Sequence, residues 1–123
     1  SVIEGAAFSA YLAYLTLGEC EGDSVLTSGG GAKNRTYNTL KASLWGKEFV
    51  PLLESDTSAL GACITAMVAE GTFKSAGEAA ASLCRYGEAE KPREILGLKK
   101  RFELFLKLYE TNKENFIDFG RLV

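Results

Sequence analysis

The amino-acid sequence predicts an α/β domain, helix-rich with few strands. Three observations lead there. Apolar residues recur at steps of three and four along most of the chain, the period of helices buried on one side. Only "SVLTS" (Ser24–Ser28) and Glu48–Leu53 have the short, β-rich character of strands. Each strand candidate is followed by a helical stretch, the alternation that builds helix-flanked sheets.

The elements follow in order. Ser1–Leu17 is a helix whose buried stripe is Phe8, Tyr11, Leu12 and Leu15, with Ala6, Ala10 and Ala13 forming a second, thin face. Val2 and Ile3 are already in period, with only Ser1 ahead as a cap, so the chain reads as a piece of something longer. "GECEGD" is a turn, and "SVLTS" a buried strand ending at three consecutive glycines. A second helix is expected from Lys33 to about Trp45, with Tyr37, Leu40 and Leu44 on one side. In the second strand Pro51 lacks an N–H, which points to an edge or to pairing on one side only. The next helix, in "SDTSALGACITAMVAEG", is capped by Ser55, Asp56 or Thr57 and ended by Gly71. Its stripe is Leu60, Ile64, Met67 and Val68. Ser75 with Glu78 forms a capping box for a short helix. "RYGEAEKP" is extended, and from Pro92 a long helix runs to about Asn112 with Ile95, Leu98, Phe102, Phe105 and Tyr109 on one face. Two strands make a small sheet for so many apolar helix faces. Either the chain forms a homo-oligomer, or the rest of the sheet belongs to other sequence.

Composition narrows the function. The chain is 46% hydrophobic and 24% charged, values of a globular core rather than of disorder. A net charge of -2 offers no basic footprint for nucleic acid or an anionic membrane. The longest apolar-rich region, Ala6–Leu17, falls short of the roughly 18 residues of a membrane span. Cys20, Cys63 and Cys84 lack any C-x-x-C spacing and read as reduced, mostly buried thiols of a cytoplasmic protein. With no histidine in the sequence, neither Cys–His nor Ser–His–Asp catalysis can be assembled from it. Glu54 and Asp56, ahead of a helix, are read as cap and dipole partners in preference to a metal site.

Gly29, Gly30 and Gly31 then carry the interest. A strand, "GGGAKN" and a helix form the geometry that binds nucleotides, since backbone N–H groups can approach a ligand at a helix N-terminus. The motif is neither the Walker pattern nor the dinucleotide fingerprint. A tight turn needing positive φ explains the glycines equally well.

The surroundings of the glycines carry a resemblance. "GGGAKN", "KAS…GKEF" and "ESDTSALGACITAMVAEGTFKSAGEAA", in that order and spacing, resemble the carboxy-terminal part of the FGGY family of carbohydrate kinases. "EGAAF" (Glu4–Phe8) is similar to the family's "EGVAF" helix, and "RFELFLKLYETNKENF" to its closing helix. The likeness covers nearly all of the chain and is nearest to the xylulokinase branch. Ser43 stands where the family has Asp, Cys63 where it has Ala, and Tyr37 where Trp is common.

The resemblance implies part of a ribonuclease H-like/actin-like ATPase domain. Residues 1–123 would be a single partial domain, the sugar-binding amino-terminal domain being absent. It implies ATP as phosphoryl donor, Mg2+ in the intact enzyme and a sugar acceptor. Gly30, Gly31 and Ala32 would give backbone contacts to the nucleotide, and Asn34 would hydrogen-bond the adenine. The catalytic base and phosphate-binding segments would lie in preceding sequence, so this chain would hold nucleotide without catalysing transfer. The competing reading is a free-standing interaction module that associates through the Ile95–Tyr109 helix face.

Overall fold

The structure, a computed structural model, describes residues 1–18, 21–54 and 56–121. The chain falls into two compact units, Ser1–Glu19 with Glu94–Val123, and Cys20–Arg93.

The first unit pairs α1 (Val2–Leu17) with α5 (Leu98–Arg121). Ser1 caps α1 in a capping box with Glu4, so the helix begins where its first apolar residue stands. Phe8 of α1 meets Phe102 and Phe105 of α5 at ring-centroid distances of 5.6 and 5.5 Å, and Tyr11 meets Phe102 at 5.0 Å. These tilted geometries are the favourable ones for aromatic pairs. The face that the association reading requires is therefore partly occupied: Leu98 and Phe102 are buried, and Phe102 and Phe105 pack on α1. The α1 stripe fades towards its end, where Leu15 is exposed.

The α5 helix differs from expectation at both ends. It starts at Leu98, six positions after Pro92, because Gly97 adopts a left-handed φ of 72° and Leu98 N–H closes a turn onto the Ile95 carbonyl. It continues to Arg121, supported by one-turn pairs such as Glu110–Lys113 and Asp118–Arg121.

The second unit is built on a β-α-β core. β1 (Ser24–Thr27) and β2 (Glu48–Pro51) pair in parallel, Ser24 opposite Glu48 and Thr27 opposite Pro51. Between them run a 3-10 turn (Gly30–Lys33) and α2 (Arg35–Trp45). The expected buried β1 is half-exposed, with Leu26 57% accessible, because among the described residues one parallel neighbour is all it has. β2 is also no edge: isolated antiparallel bridges join Phe49 to Glu90 and Leu52 to Tyr86 on its other side. Pro51 offers only its carbonyl there, to Gly87 N–H at 2.8 Å. A residue without an N–H sits where bridges replace a continuous ladder.

α3 (Thr57–Glu70) is capped by Asp56, whose Oδ1 accepts from Ala59 N–H, and is closed by left-handed Gly71. Ser55 lies outside the described residues. α3 packs on α4 (Ala76–Leu83) with its Leu60, Ile64, Met67 and Val68 stripe half-buried. Its small-residue side is exposed, Gly61, Ala62 and Cys63 included, so the expected burial of that thiol is not met. Cys84 is half-buried, and Cys20 lies outside the described residues. In α4 the Glu78 carboxylate accepts from Lys74 N–H, one residue before the Ser75 cap, so the box is offset by one position. Among the described residues no helix is long and apolar enough to cross a membrane.

Candidate functional site

The turn from β1 into α2 resolves the three glycines into different tasks. Gly29 has φ 79° and ψ -169°, a region open in practice to glycine alone. A Cβ on Gly31 would stand 3.3 Å from the Tyr37 ring, so a side chain there would press on α2. Gly30 faces open space within 4 Å. The turn closes through Ala32 N–H onto the Gly29 carbonyl at 3.1 Å and Asn34 N–H onto the Gly31 carbonyl at 3.2 Å.

The helix starts later than its period suggests. Lys33 belongs to the 3-10 turn, and Asn34 is the N-cap of α2, its Oδ1 accepting from Tyr37 N–H at 3.0 Å. That bond satisfies one of the orphan donors of the first turn. It also divides the Asn34 amide: the oxygen holds the helix, and Nδ2 is left as its donor end. Gly30, Gly31 and Asn34 are exposed, Ala32 is buried, and all four share this one turn.

Beneath the turn lies polar scaffolding. Asn38, 2% exposed, donates from Nδ2 to the Ala32 carbonyl at 2.7 Å. The Glu90 carboxylate, also buried, accepts from Arg35 Nε and from Thr39 Oγ1 at 3.1 Å, with Arg93 Nη2 3.7 Å away. Lys41 is buried with its ammonium 4.4 Å from the centre of the Tyr37 ring and 4.8 Å from that of Phe49. Its hydrogen-bond partner is Thr27 Oγ1 at 3.4 Å, and burial lowers its pKa. Ser43 donates to the Thr39 carbonyl at 2.8 Å and accepts from Arg93 N–H at 3.0 Å. A cavity of about 310 Å³ opens beside the turn, lined by Ala32, Arg35, Asn38, Leu52 and Glu90 among others.

Ala32 is the one expected contact residue that lines this cavity. Gly29 takes the positive φ that a tight turn requires, while Asn38 is a residue the sequence did not single out. Asn38 had a signal, being one turn beyond Asn34 on the same helix face, yet a polar residue at that spacing gives no sign of burial. Glu54 and Asp56 do structural work. Asp56 caps α3, while Glu54 accepts from Arg85 Nε at 3.0 Å, a bond that lowers its pKa. Among the described residues no three acidic, thiol or imidazole side chains gather to hold a metal.

Comparison with known proteins relates the chain to a family. The family model of the FGGY carbohydrate kinases, C-terminal domain, matches residues 1–70. The chain is 27% identical over 118 residues to a xylulose kinase of Bacillus subtilis, covering 93% of this chain and 24% of that protein. It is 32% identical over 101 residues to a human FGGY carbohydrate kinase domain-containing protein, covering 78% of this chain and 18% of that one. In three dimensions it is similar to a ligand-bound xylulose kinase from Lactobacillus acidophilus, with TM-score 0.83 at 22% identity over 96% of this chain and 25% of that one. A gluconate kinase from the same organism gives 0.80 at 21% identity, with the same coverage. The chain thus spans about a quarter or less of these relatives' length. Its fold is theirs, the actin-like ATPase fold of sugar kinases in its helix-rich, strand-poor part. The chain belongs to the FGGY family of carbohydrate kinases, matching its C-terminal domain.

Proposed function

We propose that this chain is the nucleotide-holding part of an ATP-dependent carbohydrate kinase, with xylulose as the acceptor sugar. One observation carries the reading: in a chain of this family, a glycine turn leads from a parallel strand into a helix capped by Asn34, with Gly30, Gly31 and Asn34 exposed at that junction. Gly30, Gly31 and Ala32 let the nucleotide approach the backbone, and Asn34 Nδ2 donates to a ring nitrogen of adenine while Oδ1 keeps the cap. The positive end of α2 favours the phosphate side of the ligand. Lys33 stays in solvent.

Phosphoryl transfer from ATP to a sugar hydroxyl depends mainly on positioning and on neutralising charge. Mg2+ supplies part of that neutralisation on the phosphates, and no residue of this chain is assigned to it. The contribution of the chain is to orient the nucleoside. By itself it binds ADP weakly, with a Kd of about 1 mM, about -4 kcal/mol, and transfers nothing. The sugar, the catalytic base and the phosphate contacts belong to the rest of a two-domain kinase.

Similarity to a xylulose kinase both in sequence and in three dimensions supports xylulose. The test is to capture the natural gene product from source cells with an antibody to this chain, then follow ADP release from ATP with xylulose, gluconate and polyols. Release that depends on xylulose is expected. ADP release that no sugar stimulates contradicts the kinase reading, and dependence on gluconate alone contradicts the choice of sugar.

A further inference from the structure

We infer that Asn38 is a positioning residue for the nucleotide turn, an inference that rests on the nucleotide reading above. Asn38 is 2% exposed, and its Nδ2 donates at 2.7 Å to the carbonyl of Ala32, which with Lys33 brings the turn to the cavity. The orientation of the amide follows from its partner, because a carbonyl only accepts. Asn38 Oδ1 is buried with no hydrogen-bond partner among the described residues. A buried acceptor without a partner is unfavourable, so a leucine of similar size would serve a purely packing role at least as well.

What the amide achieves is local. The turn is a short 3-10 helix, Gly30–Lys33, whose i to i+3 hydrogen bonds have poorer geometry than those of an α-helix. Asn38 fastens the turn from below at Ala32, while Asn34 fastens its end to Tyr37 N–H. Both anchors stand on the first turns of α2, so Gly30 and Gly31 are presented from a rigid helix. Donor groups held in place before binding reduce the ordering cost that binding must meet.

The experiment compares the native chain with Asn38→Leu and Asn38→Asp. Leucine removes both the donor and the unmatched oxygen; aspartate keeps the shape and loses the donor. Amide hydrogen exchange at Ala32 and Asn34 is read without ligand, and ADP titration is read at Gly30, Gly31 and Asn34 by NMR. In both variants, exchange at these two amides is expected to quicken at least tenfold. The ADP Kd rises about fivefold, while the melting temperature of the leucine variant stays within a few degrees of native. Unchanged exchange in either folded variant overturns the positioning role whatever the nucleotide does. Faster exchange with an unchanged Kd overturns its purpose. A native chain whose turn amides never respond to ADP overturns the nucleotide reading itself, and with it the reason assigned to the clamp.

Discussion

The two units of this chain bury different chemistry. In the unit of α1 and α5 the buried residues among those described are Ala7, Phe8, Leu98 and Phe102, all apolar. In the unit that carries the glycine turn, the buried set includes Asn38, Lys41 and Glu90 beside Leu40 and Phe49. Apolar burial is non-directional and stabilises in proportion to area. Buried polar groups stabilise less, yet they fix geometry when their partners are satisfied. The unit proposed to hold a ligand is thus the one whose interior specifies direction, at a cost in raw stability.

The strongest way to break this contrast is in the apolar unit. Phe102→Ala removes a ring in contact with Phe8, Tyr11 and Phe105 and should destabilise by about 3 kcal/mol, read as a lower urea midpoint in helical circular dichroism. Next comes Glu90→Ala, which strips acceptors from Arg35 and Thr39. Arg35 is mostly exposed and can turn to water, so a loss of about 2 kcal/mol is expected, followed through the fluorescence of the single tryptophan, Trp45.

Asn34 sharpens the contrast by separating two roles of one side chain. Asn34→Ala loses the cap, about 1 kcal/mol, together with the adenine contact. Asn34→Asp keeps a good cap but loses the Nδ2 donors, so stability holds while ADP affinity drops about tenfold. Calorimetric melting beside an ADP titration checks both halves.

Lys41 predicts a smaller effect of opposite sign. Burial lowers its pKa, so between the folded and unfolded values the unfolded chain holds more protons and stability rises with pH. Lys41→Met should stabilise by less than about 1 kcal/mol, since lost cation–π contacts offset part of the relief, and should abolish that alkaline gain in pH-dependent unfolding. The smallest effect is at Glu54, whose pKa is lowered chiefly by the Arg85 side-chain bond. A lowered carboxyl pKa stabilises above the unfolded value and is lost as pH falls through the folded one. Acid should therefore lower the protection of the Leu53 amide, its exchange rate taken relative to the intrinsic rate at the same pH, since its N–H donates to the Arg85 carbonyl at 2.9 Å.

Much of this was legible in local chemistry. Ser1, Asp56 and Ser75 cap, Gly71 closes α3, and both strands lie close to their expected positions, because these features depend on neighbours in sequence. The start of α5 was hidden because Pro92 suits a first turn, whereas the left-handed Gly97 decides the matter. The α2 face was misjudged for a different reason. Its period points to Tyr37, Leu40 and Leu44, yet Asn38 and Lys41 are buried more deeply than Tyr37 or Leu44, held by Ala32, Phe49 and Thr27. Those partners come from the preceding turn and both strands, which no helical period reveals. Exposed Cys63 and Ala62 follow from how little packs on α3: it meets α4, its stripe is half-buried and its small-residue side stays open to solvent.

The most direct test of the glycine turn as a nucleotide site is a titration of the isotope-labelled chain with ADP, followed by amide NMR. Saturable shifts at Gly30, Gly31, Ala32 and the Asn34 side-chain amide, with α5 unmoved, are predicted. No shift at these groups at about 10 mM ADP, tenfold above the expected Kd, would contradict the assignment.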